Sequence, residues 1–105
     1  MTMTYYGLHG GLQAQPGQGP ALAAILLEAA RLMSGAPGCR LYLVSRDTAV
    51  PETIYITEVW ESEADHDNSL ALPGVRDLIS RAMPLLAAGP EQGQQLTVLG
   101  GHGLE

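Results

Sequence analysis

Two rings stand six positions apart where one apolar segment gives way to a polar one. The run Tyr55-Ile-Thr-Glu-Val-Trp-Glu-Ser-Glu-Ala-Asp-His-Asp-Asn-Ser-Leu70 reads as a strand that ends on the chain's one tryptophan, Trp60, and passes at once into a helix carrying His66. Such a junction can aim a bulky aromatic and a titratable ring into one cavity. There an indole stacks on a planar ligand, and an imidazole, which titrates near about pH 6.5, moves a proton. A structural reading competes: lone tryptophans also fill cores, and lone histidines also sit on solvated faces. Both readings stay open from the residues alone.

The remaining polar candidates are scattered. His9 lies on a glycine-rich segment in which Tyr5, Gly7, His9 and Gly11 share one strand face and Tyr6, Leu8, Gly10 and Leu12 the other. The two leucines mark a packed face, so His9 is expected at a ligand pocket or at a subunit seam. The hydroxyls of Tyr42 and Tyr55 are expected at the same two places. Glu58, a carboxylate flanked by Thr57 and Val59 in a strand, must be paired if buried, and is read as structural. His102 stands in a glycine-flanked tail. The three histidines are too far apart in sequence to form a metal motif, and no metal or other cofactor is expected. There is no phosphate-binding loop, no serine nucleophile elbow and no dinucleotide fingerprint.

Composition narrows the class. The chain has 105 residues, which points to one domain spanning 1–105. Apolar residues make up 46% and charged residues only 15%. That excess suits a ligand cavity or an apolar face buried against a partner. A net charge of −6, with five arginines and no lysine, disfavours nucleic acid and acidic membrane surfaces. The single cysteine, Cys39, can neither staple the fold nor build a zinc site, and reads as a small apolar strand residue. The N-terminal residues lack the charge and apolar run of a signal peptide, so a cytoplasmic location is the default.

The elements that must position these residues follow from periodicity. Strands are expected over Thr4–Ala14, Cys39–Asp47, Thr53–Trp60 and Gln95–Gly100. A helix is expected over Ala21–Ser34, with Leu22, Ile25, Leu26, Ala29, Leu32 and Met33 on its apolar stripe. Ser62 is a good N-cap for a second helix that stops near Pro73-Gly74, and Val75–Leu86 forms a further helical piece before a break at Gly89-Pro90. The order β-α-β-β-α-β, with the second helix in two pieces, is the split βαβ or ferredoxin-like arrangement: an α+β fold with a four-stranded antiparallel sheet and helices on one face. Apolar residues at both alternations of the later strands require the other face to be covered. A homodimer through the sheet faces, burying about 800 Å² per subunit, is the expected solution.

Several segments resemble the antibiotic biosynthesis monooxygenase domain of the dimeric α/β-barrel superfamily. They are the early strand closing on Gln15-Pro-Gly17, the run Pro37-Gly-Cys-Arg-Leu-Tyr42, the run Thr57-Glu-Val-Trp-Glu-Ser-Glu-Ala-Asp-His66, then Ser69-Leu70, Ile79 and Ala82-Met-Pro-Leu-Leu86. The resemblance covers about Tyr5 to Gly101. It implies a pocket between sheet and helices in each subunit and, for members that oxidise phenols or quinols without a cofactor, a strand Asn and Trp, a Tyr or His on the next helix, and an Arg further on. Trp60 and His66 match two of these positions, and Arg76 or Arg81 is the expected cation. Ile56 stands where the strand Asn would be, on the face of Trp60. On this resemblance the expected activity is oxidation of a small hydrophobic phenol or quinol by O2, with Trp60, His66, Arg76 and Arg81 catalytic, and His9, Tyr42, Tyr55 and Ile56 contacting substrate. The alternative is a non-catalytic or stress-related module that binds a small hydrophobic molecule. The haem-degrading pattern of the superfamily fits worse, since neither Trp nor His falls near Ser69 or Ile79.

Overall fold

A computed structural model of the chain describes residues 3–89 and 93–104. In chain order the elements are β1 (Tyr5–Gln13), α1 (Gly19–Met33), β2 (Cys39–Arg46), β3 (Thr53–Trp60), α2 (Glu63–Ser69), α3 (Val75–Ala82), a 3₁₀ turn (Met83–Leu85) and β4 (Gln94–Val98). The sheet is antiparallel with strand order β2-β3-β1-β4, as a split βαβ topology requires. β3 keeps its expected bounds because β-branched and aromatic residues fill every position but Glu58. β4 starts one residue earlier than expected and ends at Val98, ahead of Gly100 and Gly101, whose φ values are 140° and 145°. Pro90, half of the expected break, lies outside the described residues.

The register sorts side chains onto two faces. Tyr6, Leu8, Gly10 and Leu12 of β1 sit opposite Trp60, Glu58, Ile56 and Ile54 of β3, and Tyr42 and Val44 of β2 continue the same face. The helices pack on this side. One core cluster joins Leu22 and Leu26 of α1 to Ile54 and Ala14; a second joins Met33, Ala36 and Val75 to Trp60. The opposite face carries Tyr5, His9, Tyr55, Thr57 and Val59, with Leu41, Leu43 and Leu96 on the flanking strands. Among the described residues it is covered only in part: Val59 is buried, while Leu43 is 52% and Leu96 45% exposed. A bulge between Cys39 and Leu41 frees Arg40 from the ladder. Arg40 lies over the Tyr5 ring and donates to the Leu104 carbonyl at 3.0 Å, so the C-terminal tail folds back on its own chain.

Loop contacts place the helices. α1 starts two residues earlier than expected, with Pro20 in its first turn and no cap from its own Gln18. The cap comes from the β2–β3 connection: Glu52 accepts the Gly19 N–H at 2.6 Å and the Gly17 N–H at 3.3 Å. A carboxylate there satisfies orphan donors and complements the helix dipole. α2 has the expected cap, Ser62 Oγ accepting the Asp65 N–H at 3.1 Å. Its first turn is pressed against the turn after α1, where a β-carbon on Gly38 (φ 83°) would collide with the Asp65 carboxylate. α3 follows Gly74 (φ 90°) and ends at Ala82, because Pro84 tightens the next turn into the 3₁₀ piece.

Candidate functional site

Between the two core clusters the helices stand off the sheet and leave a cavity of about 370 Å³. This is at the low end of the range of about 300–1,000 Å³ for small-molecule sites. Its walls are Leu12 and Ile56 from the sheet, Ile25, Leu26, Ala29 and Met33 from α1, and Val75, Leu78, Ile79 and Ala82 from α3, with Leu70, Met83 and Leu86 at the ends. Four polar residues join them: Tyr42, Glu58, His66 and Ser69. The Ser69 hydroxyl is already committed, donating to the His66 carbonyl at 2.5 Å. The chemistry of the cavity therefore lies with a carboxyl, an imidazole and a phenol.

His66 reaches the cavity because it sits at the fourth position after the Ser62 cap, on the sheet side of α2. Its side chain is only 17% exposed. The ring packs at 5.8 Å edge-on to Trp60 and at 5.7 Å from Tyr6. Nδ1 lies 3.0 Å from Asp67 Oδ1. With the proton on Nδ1 donated to that acceptor, Nε2 is left with its lone pair facing Glu58, whose Oε1 is 4.0 Å away.

Glu58 hangs from β3 two residues before Trp60, hence on the same face. Trp60 Nε1–H donates to its Oε1 at 3.0 Å. Burial pushes the Glu58 carboxyl above its ordinary range, while the Trp60 hydrogen bond and the His66 charge pull it back. Glu58 and His66 thus form a close acid–base pair in a low-dielectric corner. Burial, with Glu58 beside it, also raises the Tyr42 phenol above its ordinary value, so Tyr42 presents a neutral hydroxyl. Trp60 is fully buried and is not part of the cavity wall; it holds the pair in place from below.

The other expected site residues are divided by the faces of their elements. Ile56 and Tyr42 line the cavity. His9 and Tyr55 do not: they stack on each other at 5.5 Å on the open sheet face, and His9 Nδ1 bonds Thr57 Oγ1 at 2.9 Å. His9 also borders a smaller cleft of about 140 Å³ with Gly10, Gly11 and Gly93, whose lining includes Leu12, Ile56 and Glu58 of the main cavity. Neither arginine reaches the cavity. The inward stripe of α3 is Val75, Leu78, Ile79 and Ala82, and that spacing turns Arg76 and Arg81 to solvent. Arg81 instead ties α1 to α3 from outside, bonding Glu28 at 2.9 Å and Asp77 at 3.1 Å. Glu58 is the residue that sequence reasoning passed over as structural. Its signal was a carboxylate at even spacing from Ile56 and Trp60 in an apolar strand. Among the described residues, no set of three or more His, Cys, Asp and Glu side chains is placed to hold a metal ion, and no helix is long and apolar enough to cross a membrane.

An α+β domain with one apolar cavity roofed by its helices is a small-molecule-binding architecture. The family model of antibiotic biosynthesis monooxygenases matches residues 6–81, and the chain belongs to that family. It is 46% identical to a proposed antibiotic biosynthesis monooxygenase from Chloroflexus aurantiacus J-10-fl, with a TM-score of 0.86 over 96% of this chain and 99% of that one. A second such protein, from Deinococcus radiodurans, is 30% identical, with a TM-score of 0.73 over 92% of this chain and 93% of the other. A protein of unknown function from Nitrosomonas europaea is 26% identical, with a TM-score of 0.79 over 96% and 95% of the two chains. No curated protein matches the chain.

Proposed function

We propose that the chain is a cofactor-independent monooxygenase that oxidises a small hydrophobic phenol with O2 in the cavity between sheet and helices. The observation that carries this reading is the pairing of His66 and Glu58, 4.0 Å apart, at the polar corner of an otherwise apolar chamber. Triplet oxygen reacts slowly with closed-shell molecules, but an electron-rich phenolate can give it one electron. The protein's tasks are then to take the hydroxyl proton, exclude water and return a proton. His66 Nε2 takes the proton. The phenolate and O2 become a phenoxyl radical and superoxide, which join at the open ring carbon opposite the hydroxyl. The resulting peroxide anion recovers the proton from His66 and loses water, and that carbon becomes a carbonyl. One oxygen atom enters the quinone and the other leaves as water.

Oxygen uptake and quinone absorbance with 1-naphthol test this directly. Removing a general base costs about 10²–10⁴-fold, so His66→Ala is expected to fall to near the uncatalysed rate. Turnover that survives His66→Ala rejects the assignment. One observation favours the non-catalytic alternative: neither arginine reaches the cavity, so no permanent cation stands ready for an oxyanion. Binding of 1-naphthol without any oxygen uptake is the result expected of that module.

The same proposal includes a two-fold homodimer through the open sheet face. The apolar side chains exposed there, Leu43 and Leu96, support it. Sedimentation of the wild type as a dimer and of Leu43→Asp as a monomer is the expected result; a monomeric wild type at high concentration rejects the pair.

A further inference from the structure

Glu58 is the one carboxylate among the described residues that line the 370 Å³ cavity. Its Oε1 accepts from Trp60 Nε1–H at 3.0 Å and stands 4.0 Å from His66 Nε2. The second separation exceeds hydrogen-bond reach, which ends at about 3.2 Å. A single oxygen atom about 2.8 Å from both atoms would sit at an angle of roughly 90° between them, open enough for a hydroxyl to donate to one side and accept from the other. We propose that Glu58 is the specificity-determining residue of the cavity: with His66 it grips the hydroxyl of an uncharged hydrophobic ligand, and it turns carboxylates away.

The charges around the cavity support the exclusion. When His66 is protonated and Glu58 ionised, the pair is neutral overall, and a ligand carboxylate adds one uncompensated buried charge. When the pair holds one proton as two neutral groups, that carboxylate finds no cation at all. Arg76 and Arg81 are turned to solvent, and the carboxylate nearest the back of His66, Asp67, adds further negative potential. A ligand hydroxyl meets a donor and an acceptor in either state, and its apolar body meets Leu12, Ile56 and the helix walls. The inference rests on the cavity being the substrate site, but it does not need the oxidation to occur.

Titration calorimetry under argon with 1-naphthol, 1-naphthoate and naphthalene separates the two. Wild type is expected to bind 1-naphthol at least tenfold more tightly than 1-naphthoate and clearly more tightly than naphthalene. Glu58→Gln is expected to shrink the naphthol preference over naphthoate at least tenfold. Glu58→Asp, which keeps the charge but shortens the reach, is expected to weaken naphthol while still rejecting naphthoate. Wild-type protein that binds naphthoate as well as naphthol, or naphthalene as well as naphthol, overturns the proposal whether or not the variants fold. An unchanged preference in cooperatively folding Glu58→Gln overturns it also, as does no binding of any of the three at millimolar concentration. Selective binding without oxygen uptake sinks the monooxygenase reading alone; uptake lost with His66→Ala but without anaerobic selectivity sinks the role of Glu58 alone.

Discussion

His66 and His9 lie on opposite faces of the same sheet, and each packs against an aromatic ring. His66 meets Trp60 edge-on at 5.8 Å, and His9 stacks on Tyr55 at 5.5 Å. Their neighbours differ in kind. His66 faces a half-buried carboxyl across a hollow, whereas His9 is bonded to the Thr57 hydroxyl on an apolar face that is partly open in the single chain. A titratable ring does chemistry only where a proton partner and a space for substrate meet it. The first histidine has both. The second has the makings of a seam residue.

The sharpest way to break this contrast is to remove each ring in turn. His66→Ala is expected to lower the oxidation of 1-naphthol by about 10²–10⁴-fold. His9→Ala is expected to leave the per-site rate within about threefold, less than 1 kcal/mol of barrier, and to weaken sedimentation as a dimer. Equal losses in turnover would erase the distinction between the faces. Truncating the aromatic partners comes next. Trp60→Ala opens the core and is expected to cost about 3–5 kcal/mol in urea unfolding, against about 1 kcal/mol for Tyr55→Ala, which loses a cross-strand pair.

A smaller effect is read through pH. Glu58 is held above the ordinary carboxyl value of 4.5, chiefly by burial. Below that value the carboxyl is protonated in folded and unfolded chains alike and does not affect their balance. As pH rises from there toward the raised value, the unfolded chain ionises first and stability falls; above the raised value the penalty is complete. Glu58→Gln cannot ionise, and its amide oxygen can still accept from Trp60. Its melting temperature is therefore expected to exceed that of the wild type by a few degrees near neutral pH and to match it in acid. A gap that is the same at both ends would remove the buried-charge account of the cavity corner. The least effect is expected from Arg81→Ala: a small drop in melting temperature at low salt that vanishes at high salt, since both partners of Arg81 are exposed.

Much of the frame was legible from local pattern. The bounds of β3 follow from strand-favouring residues at all positions but Glu58, and the start of α2 from a serine cap and two acids in its first turn. The start of α1 is not legible locally because its cap, Glu52, arrives from a loop 33 residues away. The resemblance points to Arg76 or Arg81 only by place along the chain, yet the rotation of α3 about its axis is set by which residues bury against α1 and the sheet. For the same reason the sequence does not decide between pocket and seam for His9 and Tyr55: alternation shows that two strand residues share a face but not which face the helices will cover.

By itself the sequence determined the element order and the location of one indole and one imidazole at a strand-to-helix junction, because each depends on residues within a few positions; the split βαβ topology then follows from that order, since few connections of it are short and correctly handed. Only the tertiary structure decided that Glu58 completes the corner, that Trp60 lies beneath the cavity and not in its wall, and that both arginines stay outside it. Those outcomes depend on how far two helices stand from a sheet and how each is turned about its axis. Packing across the whole domain sets both.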